Sequence, residues 1–317
     1  MAKKKVNSAK TLETIESFLR ITRTLLGAIF KFILVIIFFV FLINLFMPSF
    51  KITMGNVALI PIKGTINTGP ISSFTTEAAQ SQKITDWIKE ADEDDMIKAI
   101  VIEIDSPGGS PVASYEIADA IKKAKKPTIA LIRERGASGG FWAATAADTI
   151  FANPMSITGS IGVIGSYVEL AGLIERYNMT YRRFVSGENK DALSPFKEIT
   201  PEQAQLFQKK IDKLHDYFIT AVAQNRNLPK EQVIKDADGF IMLGADAKEK
   251  GYIDYLGGRD EVKEYLNTTL GIKEPEFKEY KAAPGFFSLL GASMNNFGYS
   301  IGKGISSNLE TDFNLKV

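Results

Sequence analysis

Cysteine is absent from the 317 residues, histidine occurs once, at His215, and tryptophan twice. Without thiols there are no disulfides and no thiolate metal sites, and a single imidazole argues against a zinc centre. These absences also narrow the ways a serine can be activated, because a serine hydroxyl is a weak nucleophile without a base beside it. Nor does one sign of charge dominate. The 38 Lys and Arg face 37 Asp and Glu, a net of +1, which gives no reason to expect a nucleic-acid partner. No internal repeat is visible. What is present is 45% hydrophobic and 24% charged residues, enough for one globular domain of about 200 residues plus attachments.

The near-neutral total hides an asymmetry. Residues 1–31 hold seven Lys and Arg against Glu13 and Glu16, a net of +5, while the rest carries 31 positive and 35 negative charges, a net of −4. The basic stretch leads into an apolar segment from Leu25 to Met47, densest over Phe32–Ile43 and closed by Pro48. About 23 residues at ~1.5 Å each span a ~30 Å hydrocarbon core, and Lys31 can snorkel to the inner interface. The run Asn44-Leu45-Phe46-Met47-Pro48 offers no small-residue cleavage site, which favours an uncleaved signal anchor over a signal peptide. The organisation expected is a basic cytoplasmic segment (1–24, with residues 6–24 an amphipathic helix), a transmembrane anchor (25–47), a folded domain (55–270) and a C-terminal tail (271–317). Basic charge on the cytoplasmic side orients the folded domain outward from the cell membrane.

The folded domain alternates strand and helix patterns. Val57–Ile62, Ala99–Ile104, Thr128–Ile132 and Thr149–Ala152 are short, nearly continuous apolar runs, as in strands covered on both faces. Between them Glu77–Glu90, Ser110–Lys125 and Gly139–Asp148 carry helical spacing. Alternation of this kind predicts an α/β fold with a largely parallel sheet flanked by helices, its strand ends on one edge. Further on, a strand is expected over Tyr181–Val185 and a long helix over Pro201–Asn227, with Ala204, Phe207, Ile211, Leu214, Phe218 and Val222 on its apolar face.

Four segments hold candidate chemistry. Asp105-Ser106-Pro107-Gly108-Gly109-Ser110 sits between strand and helix, where glycine N–H groups near a helix N-terminus can hold an oxyanion; a plain βα turn fits equally. Gly136-Ala137-Ser138-Gly139-Gly140 places Ser138 at a helix start, as a nucleophile or as an N-cap, with the Gly139 N–H beside it. Thr158-Gly159-Ser160 supplies a hydroxyl that can orient a base or merely complete a turn. Ser186–Asp191 brings Lys190, which serves as a base only when burial disfavours its ammonium form, and is otherwise a solvated loop lysine.

In order and spacing, these segments resemble the signal peptide peptidase A (protease IV) family of membrane-bound serine proteases, related in fold to ClpP and crotonase, over about residues 55–270. The resemblance implies a Ser-Lys endopeptidase in which Ser138 is the nucleophile, Lys190 the general base, Ser160 the hydroxyl that orients the lysine, and Gly108 and Gly139 the oxyanion donors. It implies no metal or cofactor. The implied substrates are remnant signal peptides and other apolar, membrane-associated peptides at the lipid bilayer, and a single domain copy implies a homo-oligomeric ring with active sites shared between neighbours. Phe141-Trp142 stands where the family often has other aromatics. Three other readings compete. Gly136-x-Ser138-x-Gly140 fits an α/β-hydrolase elbow, an esterase completed by His215 with Asp191 or Asp212, although Arg133-Glu134-Arg135 then separates strand from elbow. Ser194-Pro195-Phe196-Lys197 matches S-x-x-K without its usual companion motifs. A non-catalytic, membrane-tethered crotonase-like scaffold is the third.

Overall fold

The computed structural model describes residues 23–39, 55–69 and 78–281. Residues 23–39 form helix α1, whose side chains are exposed. Among the described residues no helix is long and apolar enough to cross a membrane. The expected 25–47 anchor is therefore seen as helix only as far as residue 39, and residues 40–47 lie outside the described residues, as do residues 6–22 of the expected amphipathic helix.

The second compact unit runs from Thr53 to Lys281. Its strands are β1 (Val57–Lys63), β2 (Thr65–Asn67), β3 (Ala78–Gln80), β4 (Ala99–Ser106), β5 (Thr128–Ala137), β6 (Thr149–Ala152), β7 (Ile157–Gly159), β8 (Ile241–Leu243), β9 (Tyr255–Leu256) and β10 (Phe277–Glu279). Its helices are α2 (Ser81–Glu93), α3 (Pro111–Lys123), α4 (Gly139–Thr145), α5 (Ala171–Arg176), α6 (Pro201–Arg226), α7 (Lys230–Asp236), α8 (Gly244–Glu249) and α9 (Arg259–Thr268). The main sheet has the order β10-β1-β4-β5-β6-β9, all parallel, with β7 extending the upper part of β5 and β8 antiparallel to β7. This is the α/β fold expected from the alternating pattern.

Alternate side chains of each strand enter different layers. Ile100, Ile102 and Ile104 of β4 join Ala58, Ile60 and Ile62 of β1 in a core completed by α2, α3, α4 and α6. Val101, Val57, Leu59 and Leu131 pack on the opposite face against Val262 and Leu266 of α9. Each such buried aliphatic contributes about 1.5–3 kcal/mol. Glu103, on the same face as Val101, is buried but paired with Arg259 at 2.6 and 3.0 Å, as a charge in that setting must be. The helix starts carry recognisable caps: Ser110 accepts from the Ala113 N–H before Pro111, and Thr200 and Gln203 form a reciprocal box before Pro201.

Three expectations change. The folded unit extends beyond residue 270, because β10 pairs with β1 along Val57–Leu59; residues 271–281 belong to the sheet domain. Tyr181–Val185 is an exposed loop rather than a strand, since among the described residues no strand pairs with its backbone. Arg133-Glu134-Arg135 does not interrupt β5. The strand continues through these exposed residues to Ala137, where its upper part pairs with β7.

Candidate active site

At the end of β5 the chain turns into α4 through Ser138. Its backbone sits at φ 53°, ψ −123°, a conformation costly for a residue with a Cβ and concentrated at functional sites. The turn is held on both sides. The Ser138 N–H donates to the Gly159 carbonyl at 2.8 Å, and the Ser138 carbonyl accepts from the Trp142 N–H at 2.9 Å. A half-buried hydroxyl on a tight strand-to-helix turn is the geometry of an exposed nucleophile. Phe141 and Trp142, next along α4, face inward. Phe141 packs edge-on to Tyr252 and Trp142 stacks on Phe218 with centroids 4.9 Å apart, so this pair anchors the helix and does not line a groove.

The Gly108 turn lies directly against this one. A Cβ on Gly108, where φ is 98°, would sit 2.6 Å from the Gly139 nitrogen and 2.8 Å from Ser138 Cβ. A Cβ on Gly139 would meet Ser114 Oγ at 2.1 Å. Glycine at these positions is what lets the two turns touch. One N–H of the expected pair is occupied. Ser106 is fully buried, donates to the Gly64 carbonyl at 2.6 Å and accepts from the Gly108 N–H at 3.1 Å. The Gly108 N–H is thus taken by a hydroxyl that has no water to bond. The next residue, Gly109, bridges alongside Ile66, whose N–H and carbonyl bond to Gly108 and Ser110; the Gly109 N–H itself is left over. Among the described residues neither the Gly109 nor the Gly139 N–H makes a hydrogen bond. The Gly109 nitrogen lies 3.3 Å from where a Gly139 Cβ would be. The free N–H of this turn is therefore one residue past the Gly108 N–H that the resemblance implies as a donor. The usable signal was Ser106, a buried hydroxyl two residues ahead, positioned to capture the Gly108 N–H.

Ser160 follows the residue whose carbonyl holds Ser138. At φ 50°, its N–H donates to the Phe240 carbonyl at 2.9 Å and its Oγ to the Gly239 carbonyl at 3.2 Å. Ser138, Gly139, Gly108 and Ser160 therefore stand in one neighbourhood. Lys190 is exposed in a turn closed by its N–H to the Gly187 carbonyl at 3.1 Å, and among the described residues its ammonium bonds to neither serine. The surrounding segment, 163–200, exposes Ile164 (87%), Val168 and Phe184 (95%). The apolar face expected for α6 divides: Phe218 and Val222 are buried, while Phe207 and Leu214 are exposed.

The rival triad does not assemble. The His215 Nε2 pairs with the Ile161 carbonyl at 3.1 Å. Asp191 is bound by Arg183, Asp212 accepts from Gln208 at 2.7 Å, and among the described residues neither carboxylate bonds the imidazole. Lys197, the end of the S-x-x-K match, donates to Gln203 Oε1 at 3.1 Å.

A serine on a strained turn before a helix, beside two backbone N–H groups unpaired among the described residues, fits a hydrolase of the acyl-transfer class. Comparison with known proteins narrows the class. Residues 120–273 match the model of peptidase family S49, and residues 56–173 match the NfeD1b N-terminal domain. The chain is 31% identical over 236 residues to a "Putative protease" of Methanocaldococcus jannaschii, covering 73% of this chain and 75% of that one. It is 32% identical over 229 residues to "Putative signal peptide peptidase SppA" of Enterococcus faecium, covering 71% and 67%. It is also 33% identical over 207 residues to "Serine protease SPPA, chloroplastic" of Arabidopsis thaliana, covering 64% of this chain and 30% of that longer protein. The chain belongs to the S49 family of signal peptide peptidases, SppA and protease 4, and is a serine endopeptidase.

Proposed function

We propose that this endopeptidase uses a Ser138–Lys190 dyad completed between two copies of the chain. The same reading includes an anchor over residues 25–47, a cytoplasmic N-terminus, a catalytic domain outside the cell membrane, and remnant signal peptides as substrates. The observation that carries the reading is the Ser138 turn with its two unpaired N–H groups. Support for a shared site comes from the 163–200 segment and the first half of α6, where Ile164, Val168, Phe184, Leu206 and Phe207 are exposed among the described residues. A second copy is the occupant that would bury them, forming a homo-oligomeric ring. Enclosure there would strip water from Lys190, which favours the neutral amine over the ammonium.

In that reaction the neutral amine of Lys190, steadied by the Ser160 hydroxyl, takes the proton from Ser138 Oγ as the oxygen attacks the scissile carbonyl. The Gly139 and Gly109 N–H groups hold the oxyanion; Gly109 takes the place first given to Gly108. The lysinium then protonates the leaving amine, and water, deprotonated by the same lysine, releases the acyl group. An oxyanion donor of this kind is worth about 3–4 kcal/mol. The test is complementation of full-length chains in detergent. Ser138→Ala and Lys190→Ala preparations should each be inactive toward an apolar peptide, and mixing them through subunit exchange should restore cleavage. Activity in either variant alone would refute the dyad, while exchanged but inactive mixtures would place both residues in one chain.

A further inference from the structure

Lys190 is exposed, yet both residues flanking it are tied down. On one side Asn189 Oδ1 accepts from Gln203 Nε2 at 3.2 Å. On the other, Asp191 is bonded by Arg183 and lies 3.6 Å from Lys197 Nζ, with its side chain only 10% exposed. Lys197 joins the two sides, because the same ammonium donates to Gln203 Oε1 at 3.1 Å. The loop is closed further by the Leu170 N–H to the Pro195 carbonyl at 2.6 Å, by the Ile199 N–H to Glu169 Oε2 at 3.1 Å, and by Tyr181 against Phe196.

Gln203 stands out within its own helix. Between residues 201 and 217 of α6 it is the one buried side chain, 7% exposed, while the apolar residues around it lie open. A buried amide is costly unless its polar atoms are bonded, and here each is: Oε1 also accepts from the Thr200 N–H at 3.4 Å. Part of that burial serves the helix start, where Gln203 closes the reciprocal cap with Thr200. The cap uses only the Oε1 end, and the Nε2 end holds the residue next to Lys190. A long lysine side chain on a free loop would sample many positions, whereas one on a fixed backbone enters a neighbouring site with most of its ordering already done.

We infer that Gln203 is a positioning residue for the general base, clamping through Asn189 the turn that presents Lys190; this rests on the Ser138–Lys190 reading above. The Asp191, Arg183 and Lys197 group closes the turn from the other side.

The experiment uses the full chain in detergent, with kinetics normalised to sites titrated by a fluorophosphonate. Gln203→Met, close in size but without the amide, should lower kcat by about 10- to 100-fold, the scale expected when a reacting group is misplaced by about 1 Å, with KM within about twofold. Backbone amides 186–194 should exchange faster with deuterium, while those of residues 218–226 keep their protection. Gln203→Glu should largely rescue, because the Asn189 amide can turn and donate to the carboxylate. Asn189→Leu should match Gln203→Met, and the two combined should cost no more than either alone, as for partners in one contact. Unchanged kcat and unchanged exchange in Gln203→Met, beside an inactive Lys190→Ala, would overturn the clamp and leave the dyad standing. Additive losses, or faster exchange at residues 218–226 as well, would reduce Gln203 to a stabilising residue and also overturn it. An active Lys190→Ala would remove the dyad and the clamp together.

Discussion

Gly108→Ala tests the contact between the nucleophile turn and the oxyanion turn most directly. The new methyl would be forced to 2.6 Å from the Gly139 nitrogen, 2.8 Å from Ser138 Cβ and 2.9 Å from the Ala137 carbonyl. Two of these are backbone atoms that cannot rotate away, so the turns must separate. Two costs combine. Holding a non-glycine residue at φ 98° costs on the order of 1–3 kcal/mol, and overfilling a packed contact costs another ~1–3 kcal/mol. A loss of about 4 kcal/mol lowers the Tm of a domain of this size by roughly 8–16 °C. The catalytic effect is separate. Moving the Gly139 N–H off the oxyanion by several tenths of an ångström should reduce kcat by about 100-fold with little change in KM. Thermal unfolding in detergent gives the first quantity, and peptide cleavage per folded chain well below the new Tm gives the second. A Tm within about 2 °C of the unsubstituted protein, with kcat preserved within about twofold, would show that the two turns do not touch.

Trp142→Ala removes the stack on Phe218 and the edge contact with Tyr115, and should destabilise by about 3–5 kcal/mol in urea unfolding; a loss below about 1 kcal/mol would mean α4 is not held there. His215→Ala loses one bond to the Ile161 carbonyl and should leave catalysis within about tenfold, the effect of one ordinary hydrogen bond; abolished turnover in a folded variant would revive the histidine triad. Asp191 should titrate below the usual carboxylate range because Arg183 bonds its ionised form. A depressed folded pKa means the loop gains stability from this group above the ordinary Asp value of about 3.9 and loses it as pH falls through the lower, folded value. Carboxyl NMR should show Arg183→Gln moving that titration upward toward about 3.9, and an unmoved titration would contradict the pairing.

Much of the architecture was legible in order along the chain. Runs such as Ala99–Ile104 and Thr128–Ile132 can be satisfied only by strands covered on both faces, and the helical spacing between them supplies the cover. Glycines on either side of Ser138, and the Pro-Gly-Gly turn upstream, marked where the backbone could approach itself. These are local properties, readable wherever neighbours in sequence determine conformation.

Other features depended on partners distant in the chain. Arg133-Glu134-Arg135 looked like a break, yet it remains strand because the upper part of β5 finds β7 beside it. The Tyr181–Val185 pattern looked like a strand but finds no ladder to join among the described residues. β10 became part of the sheet because β1 presents a free edge to it, more than two hundred residues earlier. The N–H left free in the Pro-Gly-Gly turn is that of Gly109 rather than Gly108, because the buried Ser106 hydroxyl accepts from the Gly108 N–H. Local sequence determined which segments could be strands, helices and tight turns. Hydrogen-bond completion across long separations decided which of them paired and which N–H groups were left for chemistry, since burial leaves no water to supply a missing partner.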